Sequence, residues 1–353
     1  MFDPNHKRNP RWRPGDLLRQ RNEWQHELTA AERNAVRQAA EVLPESSYAH
    51  MPKLALDDGL GRLFAAIQSA LEEGFGFFLL RGVPIAGLSN GDAKRLYFAL
   101  SLNLGTPVFQ DAVASRIVEI KATDAPPEAA FNYKAKGASG HFRPYETRVA
   151  FSFHSDPADV AGLLCLAQAP VGGVTRLVSA CAIHAEMAAK HEKQLAALYQ
   201  PYSYARPERS GEPLGYHSIP VFSSWQGLFK THVVPDLVWL AQRRPGIPPL
   251  TQDQIEALHL LEEMAGRPEF HFEFPLQPGD LLLTNNHVVY HARSAYEDTF
   301  GRQRCLLRLW LAVPNSRELD PKHREWFGDP GAGKLRGGFL RERLVKLEPP
   351  FHR

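Results

Sequence analysis

Apolar residues along the 353-residue chain recur first at helical spacing and later at strand spacing. Leu60, Leu63, Phe64, Ile67 and Leu71 lie three and four residues apart, which puts them on one face of a helix opened by Asp57 or Asp58 and ended near Gly74. Thr29-Ala30-Ala31-Glu32 is a capping box: the threonine oxygen accepts from the third amide and the glutamate reaches back to the cap amide, so a helix is expected to about Leu43. Ser89 and Asp92 open a third helix that ends before Gly105, and residues 75–82 between these helices read as a short buried strand.

From about residue 115 the pattern turns to short apolar runs bounded by turns, at Ile117–Ile120, 147–154, 161–166 and 174–178. One helix is expected over 179–199, then loop and strand over 200–235, then a Thr251-capped helix to about Ala265. The closing runs are 270–274, 281–291 and 303–313, separated by a Pro278-Gly279-Asp280 turn and a polar loop over 294–302. Helices first and then many strands point to an α+β, β-rich chain with one β-core and helical buttresses, not to alternating βαβ winding. Residues 1–28 read as a basic, Pro-punctuated extended arm packed on or lying off the body, 29–313 as a single domain, and 314–353 as a charged, Pro-rich tail with a weak helix at most.

Composition narrows the function classes. With 41 Lys and Arg against 39 Asp and Glu, the chain lacks the strongly basic field of a nucleic-acid binder. Its apolar runs fall far short of the ~18–20 residues that span a bilayer. Six basic residues fall within the first 21, but no apolar stretch follows, so a secretory signal is not expected and a cytoplasmic protein is. Three widely spaced cysteines suggest neither a disulfide framework nor a thiolate zinc site.

The 15 histidines raise the question of a metal centre. Two imidazoles and a carboxylate with open positions opposite are the donor set of non-heme Fe(II) oxygenases. Two chelating ligands on one strand must be i,i+2 to share a face. His154-x-Asp156, His184-x-Glu186 and His271-x-Glu273 have that spacing. The second falls on an expected helix, where i and i+2 point about 200° apart, and so cannot chelate. The third alternates with Phe270, Phe272 and Phe274, as a solvated face opposite a core face would. Parity alone does not separate the first from the third.

A distal partner separates them. His291 follows His154 by 137 residues, and Arg304 follows His291 by 13. His154-x-Asp156, the distal His291, the spaced Arg304 and a Gly172-Gly173-Val174-Thr175 string together resemble the Fe(II)/2-oxoglutarate-dependent dioxygenases of the taurine dioxygenase type. The stretch from Asn286 to Arg293 is similar to γ-butyrobetaine hydroxylase, and the strings around His154 and Cys165 to clavaminate synthase; the resemblance covers roughly residues 75–313.

The resemblance implies a double-stranded β-helix (jelly roll) core with flanking helices, Fe(II) held by His154, Asp156 and His291, and 2-oxoglutarate as cosubstrate with O₂. It further implies that Thr175 and Arg304 contact a 2-oxoglutarate carboxylate. Arg308 shares strand parity with Arg304 about 13 Å away, which makes it the candidate for a substrate carboxylate or a second 2-oxoglutarate contact. The opposite parity reading puts both arginines on an exposed face. His287 shares parity with His291 and is the alternative distal ligand, which the spacing to Arg304 disfavours. Related halogenases lack the carboxylate, so Asp156 favours hydroxylation or another oxidative outcome over halogenation. Tyr133, Tyr145, Tyr204, Arg206 and His217 are candidates at the mouth.

The function implied is oxidation, by hydroxylation, of an unactivated C–H bond in a small metabolite, an amino acid or other small carboxylate, with release of succinate and CO₂. The implied partner is a small, anionic molecule, with no nucleic acid and no membrane; a homo-oligomer is compatible with the composition. The competing readings are a cupin-type metal dioxygenase or isomerase that does not use 2-oxoglutarate and a non-catalytic barrel that binds ligands. A zinc hydrolase is disfavoured because no His-Glu-x-x-His string occurs.

Overall fold

The computed structural model describes residues 3, 5–45, 47–111, 113–123, 144–205 and 216–339. The capped helices form as their boundary residues dictate. Thr29 and Glu32 exchange both capping hydrogen bonds at the start of Ala30–Glu41, and Asp57 accepts from the Leu60 amide to open Asp58–Glu73. Ser89 and Thr251 do the same for Asn90–Ser101 and Gln252–Gly266. The helix expected over 179–199 is two, Ala180–Lys190 and Glu192–Leu198, because His191 between them leaves helical geometry at φ −141°.

The strands build two main sheets. The larger runs in the order Gln25–Glu27, Phe77–Arg81, Leu281–Asn285, Val160–Ala167, Cys305–Ala312, Thr106–Pro107, with Ile117–Ile120 also paired to Cys305–Ala312. The smaller runs His271–Phe274, Thr175–Ser179, Val289–Arg293, Phe151–His154. Apart from the parallel pair at the edge strand Gln25–Glu27, the ladders of both sheets are antiparallel.

Alternation along each strand assigns its faces. Leu281, Leu283, Leu307, Leu309 and Leu311 pack with Leu60, Phe64, Ile67, Leu71, Leu96 and Leu100, so helices cover one face of the larger sheet. Leu282 and Leu306 point the other way and share a second core with Phe153, Leu177 and Ala292 of the smaller sheet. The parity question for the arginines is thereby answered: Arg304 and Arg308 lie on the Leu306 face and are buried at 4% and 6% exposure.

The run expected as one strand over 281–291 is two strands in different sheets. After Asn285 the chain turns and re-enters as Val289–Arg293 in the smaller sheet, which sets His291 directly opposite His154. The 147–154 run shortens to Phe151–His154, with a 3₁₀ turn at Pro144–Glu146. The described residues of both terminal segments are built into the body. Gln25–Glu27 extends the larger sheet, with Trp12, Leu17 and Trp24 buried behind it. Past residue 313 the chain folds back with Arg317, Leu319, Phe327 and Arg336 buried. Among the described residues no helix is long and apolar enough to cross a membrane.

Candidate active site

His154 ends its strand, where the antiparallel ladder to Val289–Arg293 fixes its backbone opposite His291. Its Nδ1 donates to the Ser152 carbonyl at 2.8 Å, which leaves Nε2 as the free lone pair, the arrangement typical of a metal-binding imidazole. Asp156 lies two residues beyond the strand end. Its amide donates to Asn286 Oδ1 at 3.0 Å, and the same Asn286 donates to the Ala158 carbonyl. One ligand atom each from His154, Asp156 and His291 falls within 4.8 Å of the other two, and all three residues are buried. His291 Nε2 stands 3.7 Å from Asp156 Oδ2, and that oxygen has no hydrogen-bond partner.

Two neutral imidazoles and one carboxylate, with a buried, unpartnered carboxylate oxygen between them, fit a divalent Fe(II) site. Electrostatics holds the donors in the ligating state. Burial would raise the Asp156 carboxyl, but Arg308, followed by His291 and His154, outweighs it and keeps the group below the ordinary carboxylate range. Burial, and then the neighbouring His291, pushes His154 down to about 3, so it is neutral near pH 7.

Two buried arginines share the inner face of the larger sheet. Arg304 opens the long strand Cys305–Ala312 with its Nε and Nη1 buried and unpartnered. Its backbone amide, not its guanidinium, takes Asp298 Oδ1 at 2.8 Å. A Cβ on Gly173 would sit 3.0 Å from Arg304 Nε, and Gly173 has φ +68°, so glycine here makes room for the guanidinium and for the turn. Thr175 is buried two residues on and pairs in register with Arg293, two residues past His291. A buried guanidinium with free N–H groups is costly unless an anion completes it.

Arg308, on the same face, has Nη1 3.6 Å from Asp156 Oδ1. Gln110 accepts from its Nε at 2.7 Å and donates to its backbone carbonyl at 2.8 Å. Tyr145 lies against it, the guanidinium carbon 5.0 Å from the ring centre. Tyr204 is fully buried with its hydroxyl donated to the His232 carbonyl, and it stacks on His217, itself stacked on Trp326 at 3.5 Å. Those two rings therefore form a packed layer. Tyr133 and Arg206 lie outside the described residues.

Among the described residues the other His-x-carboxylate pairs do not converge with a third ligand. His184 binds the Tyr199 hydroxyl from its helix, and Glu273 pairs with Arg176. His287 faces away from the triad and binds Asp159 at 2.8 Å. Sequence reasoning gave no role to three residues that shape the site: Gln110, Asn286 and Arg293. Asn286 and Arg293 bound the stretch that resembles γ-butyrobetaine hydroxylase, whereas Gln110 carried no signal; Arg293 Nη2 donates to the carbonyls of Thr147 and Val149.

Comparison with known proteins agrees with this geometry. Residues 46–310 match the family described as taurine catabolism dioxygenase TauD, TfdA family. FR-33289 synthase of Streptomyces rubellomurinus is 31% identical over 310 residues, covering 84% of this chain and 88% of that protein. Among solved structures, an asparagine oxygenase in complex with Fe(II), 3-hydroxyasparagine and succinate superposes with a TM-score of 0.62 at 17% identity, covering 82% of this chain and 93% of that one. The non-heme iron oxygenase OrfP in complex with Fe and α-ketoglutaric acid gives 0.58 at 16% identity, covering 81% and 93%. The first two matches run over most of the chain, and it belongs to the taurine catabolism dioxygenase TauD/TfdA family.

Proposed function

We propose that this protein is an Fe(II)- and 2-oxoglutarate-dependent oxygenase that hydroxylates an unactivated C–H bond of a small amino acid or related carboxylate, with release of succinate and CO₂. The observation that carries the reading is the convergence of His154, Asp156 and His291, with Arg308 beside Asp156 and, four residues before it on the same strand face, the buried Arg304 whose Nε and Nη1 have no hydrogen-bond partner. The two sheets then act as a double-stranded β-helix whose interior holds the cosubstrate.

His154, Asp156 and His291 would hold the iron, leaving positions for a bidentate 2-oxo acid and O₂. When bound, the iron and 2-oxoglutarate supply the oxidising power for C–H cleavage. Arg304, with Thr175, binds the distal carboxylate of 2-oxoglutarate and so fixes its register. Arg308, held by Gln110, presents a cation beside Asp156 and orients an anionic substrate. Asn286 fixes the backbone on both sides of Pro157, which aims the Asp156 carboxylate.

The structural neighbours include complexes with 3-hydroxyasparagine and with (3S)-hydroxy-L-Arg, which supports an amino-acid substrate. A cytoplasmic enzyme acting on a free metabolite is consistent with this reading. The test is succinate formation from 2-oxoglutarate with Fe(II), ascorbate and a panel of amino acids. Stimulated turnover is expected in the wild type and none in Asp156→Ala; wild-type turnover by that variant would reject the triad. A metal enzyme indifferent to 2-oxoglutarate would form no succinate.

A further inference from the structure

The metal-site histidines and the carboxylate are held in different ways. His154 and His291 sit on paired strands, but Asp156 belongs to a link, residues 155–159, between the end of one strand at His154 and the start of another at Val160. Something other than a sheet ladder must fix it. Asn286 supplies part of the grip and the pairing of Ser155 with Val233 another; a third part comes from the C-terminal segment, beyond residue 310 where the family match ends.

Arg336 Nε donates to Asp159 Oδ1 at 2.7 Å, with both side chains at 1% exposure or less. The other nitrogens of Arg336 donate to the carbonyls of Pro330, Gly331 and Arg317, so every nitrogen of the guanidinium is hydrogen-bonded. Asp159 also accepts from His287 and from the Val313 amide. The next two residues touch the link through backbone alone. Gly338 N donates to the Pro157 carbonyl at 2.6 Å, and a Cβ on Gly337 would lie 2.7 Å from that oxygen and 2.9 Å from Ala158 Cα. Both glycines have positive φ, +80° and +69°, so the close approach and the turn each require them. Phe339 then stacks on Trp310, two residues past Arg308.

We propose that Arg336, Gly337 and Gly338 are positioning residues for the metal ligand Asp156, so that the C-terminal segment is a working part of the metal centre. The inference rests on the reading of His154, Asp156 and His291 as the ligands. Groups that orient a metal ligand change metal affinity by roughly 10- to 100-fold when removed, whereas a purely structural ion pair changes only stability.

The segment supplies its own control. Arg317 is equally buried and pairs with Glu72 at 2.8 Å, but its side chain makes no hydrogen bond to residues 155–159. Co(II) binding, followed by its visible absorption, is measured on metal-free wild type, Arg336→Gln, Gly337→Ala and Arg317→Gln, alongside thermal melting. Arg336→Gln and Gly337→Ala are expected to weaken Co(II) binding about 10- to 100-fold, while Arg317→Gln melts lower and keeps wild-type affinity. Should Arg336→Gln not fold, Gly337→Ala carries the test. Wild-type affinity in Gly337→Ala, or an equal loss in Arg317→Gln, overturns the proposal. Asp156→Ala separates the two layers: if it binds Co(II) normally, the ligand assignment itself fails, whereas lost binding there with unaltered binding in the glycine variant rejects only the positioning role.

Discussion

Replacing Arg304 by glutamine tests the cosubstrate site at its most exposed assumption, that the guanidinium is there for an anion. Arg304 is 4% exposed, and its Nε and Nη1 have no acceptor. Burial lowers its proton affinity, which records the cost of holding that charge out of water. The neighbouring Asp298 relieves it only in part and through space, since its carboxylate oxygens are hydrogen-bonded by the Arg304 backbone amide and by Arg148 at 3.1 Å, not by the guanidinium of Arg304. Breaking a buried, hydrogen-bonded charge pair costs about 2–5 kcal/mol, or about 30-fold to several thousand-fold in affinity. Calorimetric titration of the Co(II)-loaded protein should therefore show that loss for 2-oxoglutarate. Binding of 2-oxobutyrate, which has the same metal-chelating end but no distal carboxylate, should stay within about threefold of wild type. The metal-free variant should melt no lower than wild type, because a costly charge has been removed. A parallel loss for both acids, or unchanged 2-oxoglutarate binding, would refute the assignment.

Further outcomes follow from the same contacts. Gly173→Ala places a Cβ 3.0 Å from Arg304 Nε at φ +68°; it should cost about 1–2 kcal/mol of stability and weaken 2-oxoglutarate binding, read by melting and titration together. Arg308→Met should retain 2-oxoglutarate binding and lose the stimulation of succinate formation by whichever amino acid stimulates the wild type; undiminished stimulation would remove Arg308 from substrate recognition. The metal-free protein should be sensitive to mild acid. Burial lowers His184 to about 4 and His287 to about 3, and it lowers His232 and His323 strongly. These imidazoles stay neutral in the fold while the unfolded chain takes up protons below about 6.5, so stability falls as pH falls through that value. Each contributes about 1 kcal/mol between pH 6.5 and 5.5 by this linkage, about 4 kcal/mol in all. Denaturant midpoints that are flat across that interval would contradict it.

How much of this was legible beforehand differs by element. Helix starts were legible because capping is local chemistry: Thr29 with Glu32 and Thr251 with Gln254 close their boxes as the spacing requires. The break at His191 was not, because Ala and Leu on either side carry a continuous helical pattern and nothing in it marks the kink. Nor was the division of 281–291, since both halves are buried and an unbroken apolar run hides the turn between them. Tyr204 looked like a mouth residue by composition of its neighbourhood, yet its ring is packed and its hydroxyl spent.

By itself the sequence narrowed the chemistry: donor identity and period-two parity, local properties readable along the chain, offered His-x-carboxylate pairs suited to Fe(II), and the family resemblance singled out His154, Asp156, His291 and the spaced Arg304 among them. Only the tertiary structure decided that His154 and Asp156 meet His291 and that His287 instead serves Asp159. It also decided that the arginines are buried on the face of the larger sheet turned away from the helices, and that Arg336 reaches back to the link carrying Asp156. Those outcomes depend on which strands pair and which faces bury, and contacts across 177 residues, such as Arg336 with Asp159, leave no periodic trace in the chain that makes them.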